Sequence, residues 1–151
     1  MKDSGLARLI RPSNNPMASP TVCVAKKNGD VRIACDYRYL NSFTVGDAYP
    51  MPTIDEVLRS IGKKQYISTF DATSGYWQIP LAEEHRWLTA FVTHDGFYEW
   101  LRMPFGLKNA GAAFVRAVRS MLRLIRDFAD SYVDDIGMGS QDWETHLHHI
   151  H

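Results

Sequence analysis

No run of about 18 apolar residues occurs anywhere in the 151-residue sequence, so no segment reads as a membrane-spanning helix. The opening residues, MKDSGLARLIRPS, lack the apolar stretch of a secretory signal. Cysteine is scarce. Cys23 and Cys35 are the only two, which excludes a disulfide framework and fits a reducing compartment. Internal repeats and low-complexity tracts are missing as well. KNAGAAF lacks the pattern of a phosphate-cradling loop, and no Ser/His/Asp or Cys/His hydrolase signature is present. Net charge is zero, with 17 Lys and Arg against 17 Asp and Glu. What remains is an ordinary globular composition, 45% apolar and 23% charged, at a length that fits one compact domain or a piece of a larger one.

Zero net charge alone argues against a polyanionic partner, but the distribution argues the other way. Residues 1–41 carry seven basic and three acidic side chains, and residues 42–100 carry four and eight. Residues 101–126 hold six basic residues (Arg102, Lys108, Arg116, Arg119, Arg123, Arg126) and no acid; residues 127–151 hold six acids and no Lys or Arg. Alternating blocks suit a protein that holds polyanions in one place and cations in another. Chance clustering on solvated faces produces the same pattern.

The pattern of apolar and turn residues predicts a mixed chain. A short helix is expected over 3–10, and the proline-rich 11–20 reads as extended or irregular. TVCVAKKNGDVRIACDY reads as a hairpin turning at Asn28-Gly29. A loop of 28–30 sets Lys26 opposite Arg32, Lys27 opposite Val31 and Cys23 opposite Cys35. TIDEVLRSIG predicts a helix opened by a Thr53/Glu56 capping box and stopped at Gly62. QYISTFD is a strand ending on Asp71, and WLTAFVT and FYEWLRM flank a second hairpin turn at Asp95-Gly96. Helical spacing runs from Ala110 to about Asp127, with arginines on the other side. FADSYVDDIGMGS is a strand, a turn and a strand, and 142–150 begins another helix. The class is α+β.

Asp134 and Asp135 stand side by side where an apolar strand otherwise runs. In a dry strand two like charges repel and resist ionising, and a bound cation is one way to offset that. Neighbours on a regular strand point to opposite faces, so the two share a site only if a tight turn falls between them. Asp71, at another strand's end, supplies a third carboxylate. Three such groups can hold two metal ions for an in-line displacement at phosphorus. An aspartate at a strand end is also the usual solvated turn residue.

Five blocks, in order, narrow this choice: LIRPSNNPMASPTVCVAKKNGDVRIACDYRYLN, YPMPTIDEVL, FDATSGYWQIPL, TAFVTHDGFYEWLRMPFGLKNA and YVDD. Their order and spacing resemble the reverse transcriptase (RNA-directed DNA polymerase) domain of gypsy-type LTR retrotransposons, and more distantly that of retroviruses. The resemblance implies a partial right-hand polymerase fold over 1–151. Fingers would span about 1–45 and 81–103, an incomplete palm about 46–80 and 104–151, with the thumb absent. It implies catalytic and metal roles for Asp71, Asp134 and Asp135, with two Mg²⁺ as cofactors and Mn²⁺ as their substitute.

Ala72 would lend its backbone to the triphosphate. Tyr76 would sit under the incoming sugar, where a ring clashes with a 2′-hydroxyl; packing in a core is its plainer role. Lys26 and Arg32 would grip the triphosphate, with Lys27 the rival for the lysine role. Asp36, Tyr37, Arg38 and Asn41 match the fingers pattern. Arg38 is expected on the template, and Asp36 against a neighbouring base. Phe105 and Gly106 would flank the nascent base pair, and Lys108 would touch template or substrate.

The implied partners are an RNA or DNA template with primer and deoxynucleoside triphosphates, within a longer polyprotein carrying RNase H and integrase. No membrane is involved. The implied setting is cytoplasmic, in a retrotransposon particle, or nuclear. One departure is Gly111, where the family places proline in the first helical turn. Two other readings compete. The chain is a truncated, inactive remnant that at most binds nucleic acid, or a two-metal nuclease using the same carboxylates, which leaves Tyr76, Lys26 and Arg32 without a purpose. The arginines of 116–126 lie on a solvated face or approach template phosphates. His146, His148, His149 and His151 include zinc-like spacing, but one face of an amphipathic helix explains them, and the family has a His-Leu-x-His run there with no metal role.

Overall fold

The computed structural model describes residues 8–25, 29 and 31–151. The described residues form eight strands and four helices: β1 (Ile10–Pro12), β2 (Thr21–Ala25), β3 (Val31–Cys35), α1 (Arg38–Phe43), α2 (Ile54–Ile61), β4 (Tyr66–Asp71), β5 (Phe91–Thr93), β6 (Gly96–Trp100), α3 (Ala110–Met121), β7 (Ala129–Tyr132), β8 (Asp135–Ser140) and α4 (Trp143–Ile150). Tight 3₁₀ segments occupy Gly75–Gln78, Glu83–Thr89 and Leu122–Leu124. Among the described residues no helix is long and apolar enough to cross a membrane. The chain divides into two compact units, residues 1–46 with 76–110, and residues 47–75 with 111–151.

The first unit holds two antiparallel sheets, β1-β6-β5 and β2-β3. Its core is aromatic. Tyr37, Phe91 and Trp100 are buried together, with Trp77 stacked on Trp100 at 6.1 Å. Two hydrogen bonds tie this core to Thr89. Tyr37 Oη donates to the Thr89 carbonyl at 2.9 Å, and the backbone N–H of Trp100 donates to Thr89 Oγ1 at 3.0 Å.

The β5–β6 hairpin forms where Asp95-Gly96 predicted it, with Thr93 opposite Gly96. The β2–β3 hairpin differs from expectation by two residues. Thr21 faces Cys35, Cys23 faces Ile33, Val24 faces Arg32 and Ala25 faces Val31. In this register Cys23 and Cys35 are not partners, and both are free thiols. Lys26 and Lys27, expected on this hairpin, lie outside the described residues, as does most of the helix expected over 3–10; Ile10 opens β1 instead.

The second unit is one antiparallel sheet, β4-β8-β7, with a helix on each face. Gly137 and Gly139 give one face to α2 and to Lys64, three residues past its end. A Cβ on Gly137 would lie 2.4 Å from Ile61 Cδ1, and one on Gly139 would lie 2.7 Å from Lys64 Cγ. Ser68 and Ser140 point to the other face, where α4 sits. The predicted capping box of α2 is present. Thr53 Oγ1 accepts from the Glu56 N–H, and Glu56 Oε2 accepts from the Thr53 N–H at 2.9 Å. Asp142 caps α4 without that reciprocity: its carboxylate accepts from the Thr145 N–H at 2.9 Å and from the Thr145 hydroxyl at 2.8 Å. The helix expected to reach Asp127 ends at Met121 and tightens into the 3₁₀ turn, from which the chain enters β7.

Glu99 tests the first unit. It is 6% exposed and directly opposite Arg11 across β1–β6. Burial pushes its carboxyl up, but the Ser13 hydroxyl at 2.8 Å and the Arg11 guanidinium at 2.7 Å outweigh this and hold it below its ordinary value of 4.5. A depressed carboxyl contributes stability above its ordinary pKa and loses it as pH falls through the folded value. Glu99→Gln is therefore expected to lower the thermal midpoint near neutral pH and to flatten its decline in acid. An equal decline in both proteins would contradict this.

A carboxylate site at one end of the sheet

The register of β4 on β8 runs from Tyr66↔Ser140 to Asp71↔Asp135. The two aspartates are therefore direct cross-strand partners, about 5 Å apart at Cβ by the geometry of such pairs. The β7–β8 ladder closes with Tyr132 opposite Asp135, leaving Val133 and Asp134 as a two-residue turn. All three carboxylates thus lie at one end of one sheet. The tight turn needed for Asp134 and Asp135 to share a site is present.

That turn is strained. Val133 has φ 53°, a left-handed conformation in which a branched side chain is an outlier. Such a residue costs about 1–2 kcal/mol and persists where its surroundings over-determine it. One such constraint is visible. The Ala72 N–H donates to the Asp134 carbonyl at 3.0 Å, tying the turn to the residue that follows Asp71. The Ala72 carbonyl accepts from the Gly75 N–H at 2.9 Å. Ala72 therefore has its N–H engaged and one carbonyl lone pair left over. Gly75 lets the chain pass close to α3: a Cβ there would lie 2.8 Å from the Phe114 ring, which would have to shift.

Asp71, Asp134 and Asp135 are all exposed. The expectation of charges in a dry strand is corrected: water, rather than a required cation, tolerates their repulsion. None of the three is in an ion pair with another described residue. The backbone gathers them, but among the described residues no three His, Cys, Asp or Glu side chains converge closely enough to enclose a metal ion. The donor set itself, hydrated hard oxygens without a competing cation, fits Mg²⁺ or Mn²⁺.

The remaining candidates lie in the first unit. The half-buried Tyr76 ring meets Phe105 edge-on at 5.2 Å, and Trp77 meets Phe105 at 5.8 Å. Gly106 has φ 93°. Asn41 holds this loop like a strand partner. Its Nδ2 donates to the Gly106 carbonyl and its Oδ1 accepts from the Lys108 N–H, each at 2.8 Å. Lys108 Nζ donates to the Thr44 carbonyl at 2.8 Å, and Asn109 Nδ2 to the Val45 carbonyl at 2.8 Å. The loop 106–109 is thereby stitched to the end of α1.

Arg38 is 91% exposed at the start of α1 and pairs with Asp36 at 2.6 Å, which holds the Asp36 carboxyl below its ordinary range. Arg32 sits on β3. Asn41 was legible in the sequence as a pattern match but not as a clamp; its role follows from α1, a helix of six residues without a side-chain cap. Of the arginines on α3, Arg116 pairs with Asp47 at 2.7 Å and covers the Tyr49 ring at 4.7 Å.

Comparison with known proteins gives this geometry its family. The model for reverse transcriptase (RNA-dependent DNA polymerase) matches residues 24–151. The chain is 45% identical over 148 residues to the retrovirus-related Pol polyprotein from transposon 297 of Drosophila melanogaster, covering 94% of this chain and 14% of that one. It is 43% identical over 149 residues to the corresponding polyprotein from transposon gypsy of the same organism, again covering 94% and 14%. Among solved structures it is similar to the foamy viral protease-reverse transcriptase in complex with RNA/DNA hybrid, with TM-score 0.86, 26% identity, and coverage of 96% and 20%. The chain belongs to the reverse transcriptase family and has a partial reverse transcriptase fold. It spans about a seventh of the length of these polyproteins.

The strained turn makes a direct prediction. Val133→Asn, which tolerates left-handed backbone, is expected to raise the thermal midpoint by about 2–4 °C. A fall would mean that the packing of the valine side chain outweighs the strain.

Proposed function

We propose that this chain is the catalytic part of an RNA-directed DNA polymerase within a longer Pol-type polyprotein. The observation that carries the reading is the Asp71↔Asp135 pair with Asp134 in the adjoining turn. The primer 3′-hydroxyl gives up its proton to solvent and its oxygen attacks the α-phosphate of a deoxynucleoside triphosphate; a new P–O bond forms as the bond to the β-phosphate's bridging oxygen breaks, and pyrophosphate leaves. Asp71, Asp134 and Asp135 would hold two Mg²⁺, with Mn²⁺ as substitute. When bound, these ions lower the pKa of the attacking hydroxyl and neutralise charge on the leaving oxygens.

The chain's own groups do the positioning. The Ala72–Asp134 backbone bond fixes the turn, and the free lone pair of the Ala72 carbonyl is available to the substrate side. Lys26 and Arg32 are proposed on the triphosphate. Tyr76, braced by Phe105, is proposed beneath the sugar, where it excludes a 2′-hydroxyl. Phe105 and Gly106 are proposed beside the nascent pair, in a loop held by Asn41. Arg38 and Lys108 are proposed on the template, and both would exchange a present partner, Asp36 or the Thr44 carbonyl, for phosphate. Residues of about 1–45 and 81–103 are proposed as fingers, and those of about 46–80 and 104–151 as palm. A template with primer, RNA or DNA, is the proposed partner; the foamy viral relative with RNA/DNA hybrid supports it. A retrotransposon particle is the proposed setting.

The test is primer extension on an RNA template with Mg²⁺ and then Mn²⁺. Asp134→Asn is expected to lose on the order of a hundredfold or more, the size of effect seen when a charge-stabilising group is removed. Activity that survives this change overturns the assignment. Tyr76→Ala is expected to raise ribonucleotide incorporation relative to deoxynucleotide, with Tyr76→Phe unchanged. Equal discrimination in all three would return Tyr76 to plain packing.

A further inference from the structure

Strand β4 is poorly anchored by burial. Five of its six residues are exposed, and Ser68 alone is half-buried. It lies at the edge of the sheet and pairs only with β8. Strand β8 is Asp-Ile-Gly-Met-Gly-Ser, with two glycines among six residues. Strands that bury little and carry many glycines specify register weakly, because few side chains resist a slip. Yet the position of Asp71 depends wholly on that register. A slip of one residue turns Asp71 to the opposite face, and a slip of two sets it against Val133 or Gly137.

One side chain bridges the two strands. His146 of α4 is 2% exposed, on the face of the sheet away from Gly137 and Gly139. Its Nε2 lies 2.9 Å from Ser68 Oγ on β4, and its Nδ1 lies 3.0 Å from Ser140 Oγ on β8. A flat ring with a polar atom on each of two edges spans both hydroxyls at once. Ser140 Oγ also meets His149 Nδ1 at 2.8 Å. A hydroxyl has one proton, so it donates to one ring and accepts from the other. His149 stacks on Phe128 at 3.6 Å, which holds that end of the chain of bonds. Tyr66 and Trp143 close over His146 at 6.3 and 6.2 Å.

We propose that His146 is a positioning residue that locks β4 to β8 through Ser68 and Ser140, and so keeps Asp71 opposite Asp135. The role rests on the polymerase reading above. His146 touches no reacting atom; it acts through the two strands from behind. The register of α4 at i and i+3 that resembles zinc spacing is used here for hydrogen bonds to serine.

Two readouts on the whole 151-residue chain test this. The first is amide hydrogen exchange by NMR in β4 and β7, which needs no metal. Ser68→Ala removes one end of the bridge and leaves the ring packed. It is expected to speed exchange in β4 about tenfold relative to β7, and Ser68→Thr, which keeps the hydroxyl, is expected to restore it. The second is Mn²⁺ binding at the carboxylate end, expected to weaken about tenfold in Ser68→Ala and recover in Ser68→Thr, as for groups that orient metal ligands from outside. His146→Ala is expected to match Ser68→Ala or exceed it; if it does not fold, the Ser68 pair decides. Equal acceleration in β4 and β7, no acceleration, or failure of threonine to rescue overturns the proposal. If the unchanged chain binds no Mn²⁺ at the carboxylates, the polymerase reading fails, and the exchange ratio still decides the lock.

Discussion

The antiparallel pairing of β4 with β8 is the constraint on which the rest depends. It sets Asp71 opposite Asp135 and leaves Asp134 in the turn that begins the same ladder. Like charges directly across a sheet are destabilising, as are two in succession. The chain accepts both at the exposed end of the sheet, where water screens them. A slip would relieve the repulsion, so register has to be held by something other than the carboxylates. Polar bonds on the α4 face and the Ala72–Asp134 backbone bond supply that restraint from two directions.

The cost of the arrangement is concentrated in a few residues. Val133 is left-handed, Ser74 has φ 57°, and Gly75 is pressed against Phe114. These three residues lie in the two turns that carry the carboxylates. Strain of this kind is typical of sites where geometry is selected over stability. Gly137 and Gly139 serve the same end differently. They let α2 approach the sheet closely, and that approach leaves β8 with few side chains to define its own register. Packing gained on one face thus creates a need that the other face meets.

Much of this was legible in the sequence, for physical reasons that can be named. The capping box at Thr53 and Glu56, the Asp95-Gly96 turn and the strand ending at Asp71 are local signals, and local signals survive in the fold. The tight turn at YVDD followed from the need for adjacent aspartates to share a site. Other features depended on distant residues. The β2–β3 register moved by two because Asn-Gly marks a turn without fixing the loop length. The strand expected from Trp87 begins only at Phe91. Local bonds from Trp87 to the Glu84 carbonyl and from Thr89 to the Arg86 carbonyl favour 3₁₀ turns instead. Helix α1 is only six residues long and its N-cap Tyr37 makes no side-chain capping bond, so its signal in the sequence is short, and with it the clamp role of Asn41 stayed hidden. The histidines at 146 and 149 read as one face of a helix, and that face meets serines six or more positions away in sequence.

The most direct test of the central claim is paramagnetic broadening of backbone amide signals by Mn²⁺ at low occupancy. The carboxylate site predicts that Asp71, Ala72 and Val133 to Asp135 broaden first, and that Asp71→Asn removes the effect. Broadening that begins instead at the C-terminal histidines, or spreads evenly over the acidic surface, would contradict the assignment of Asp71, Asp134 and Asp135 as one metal site.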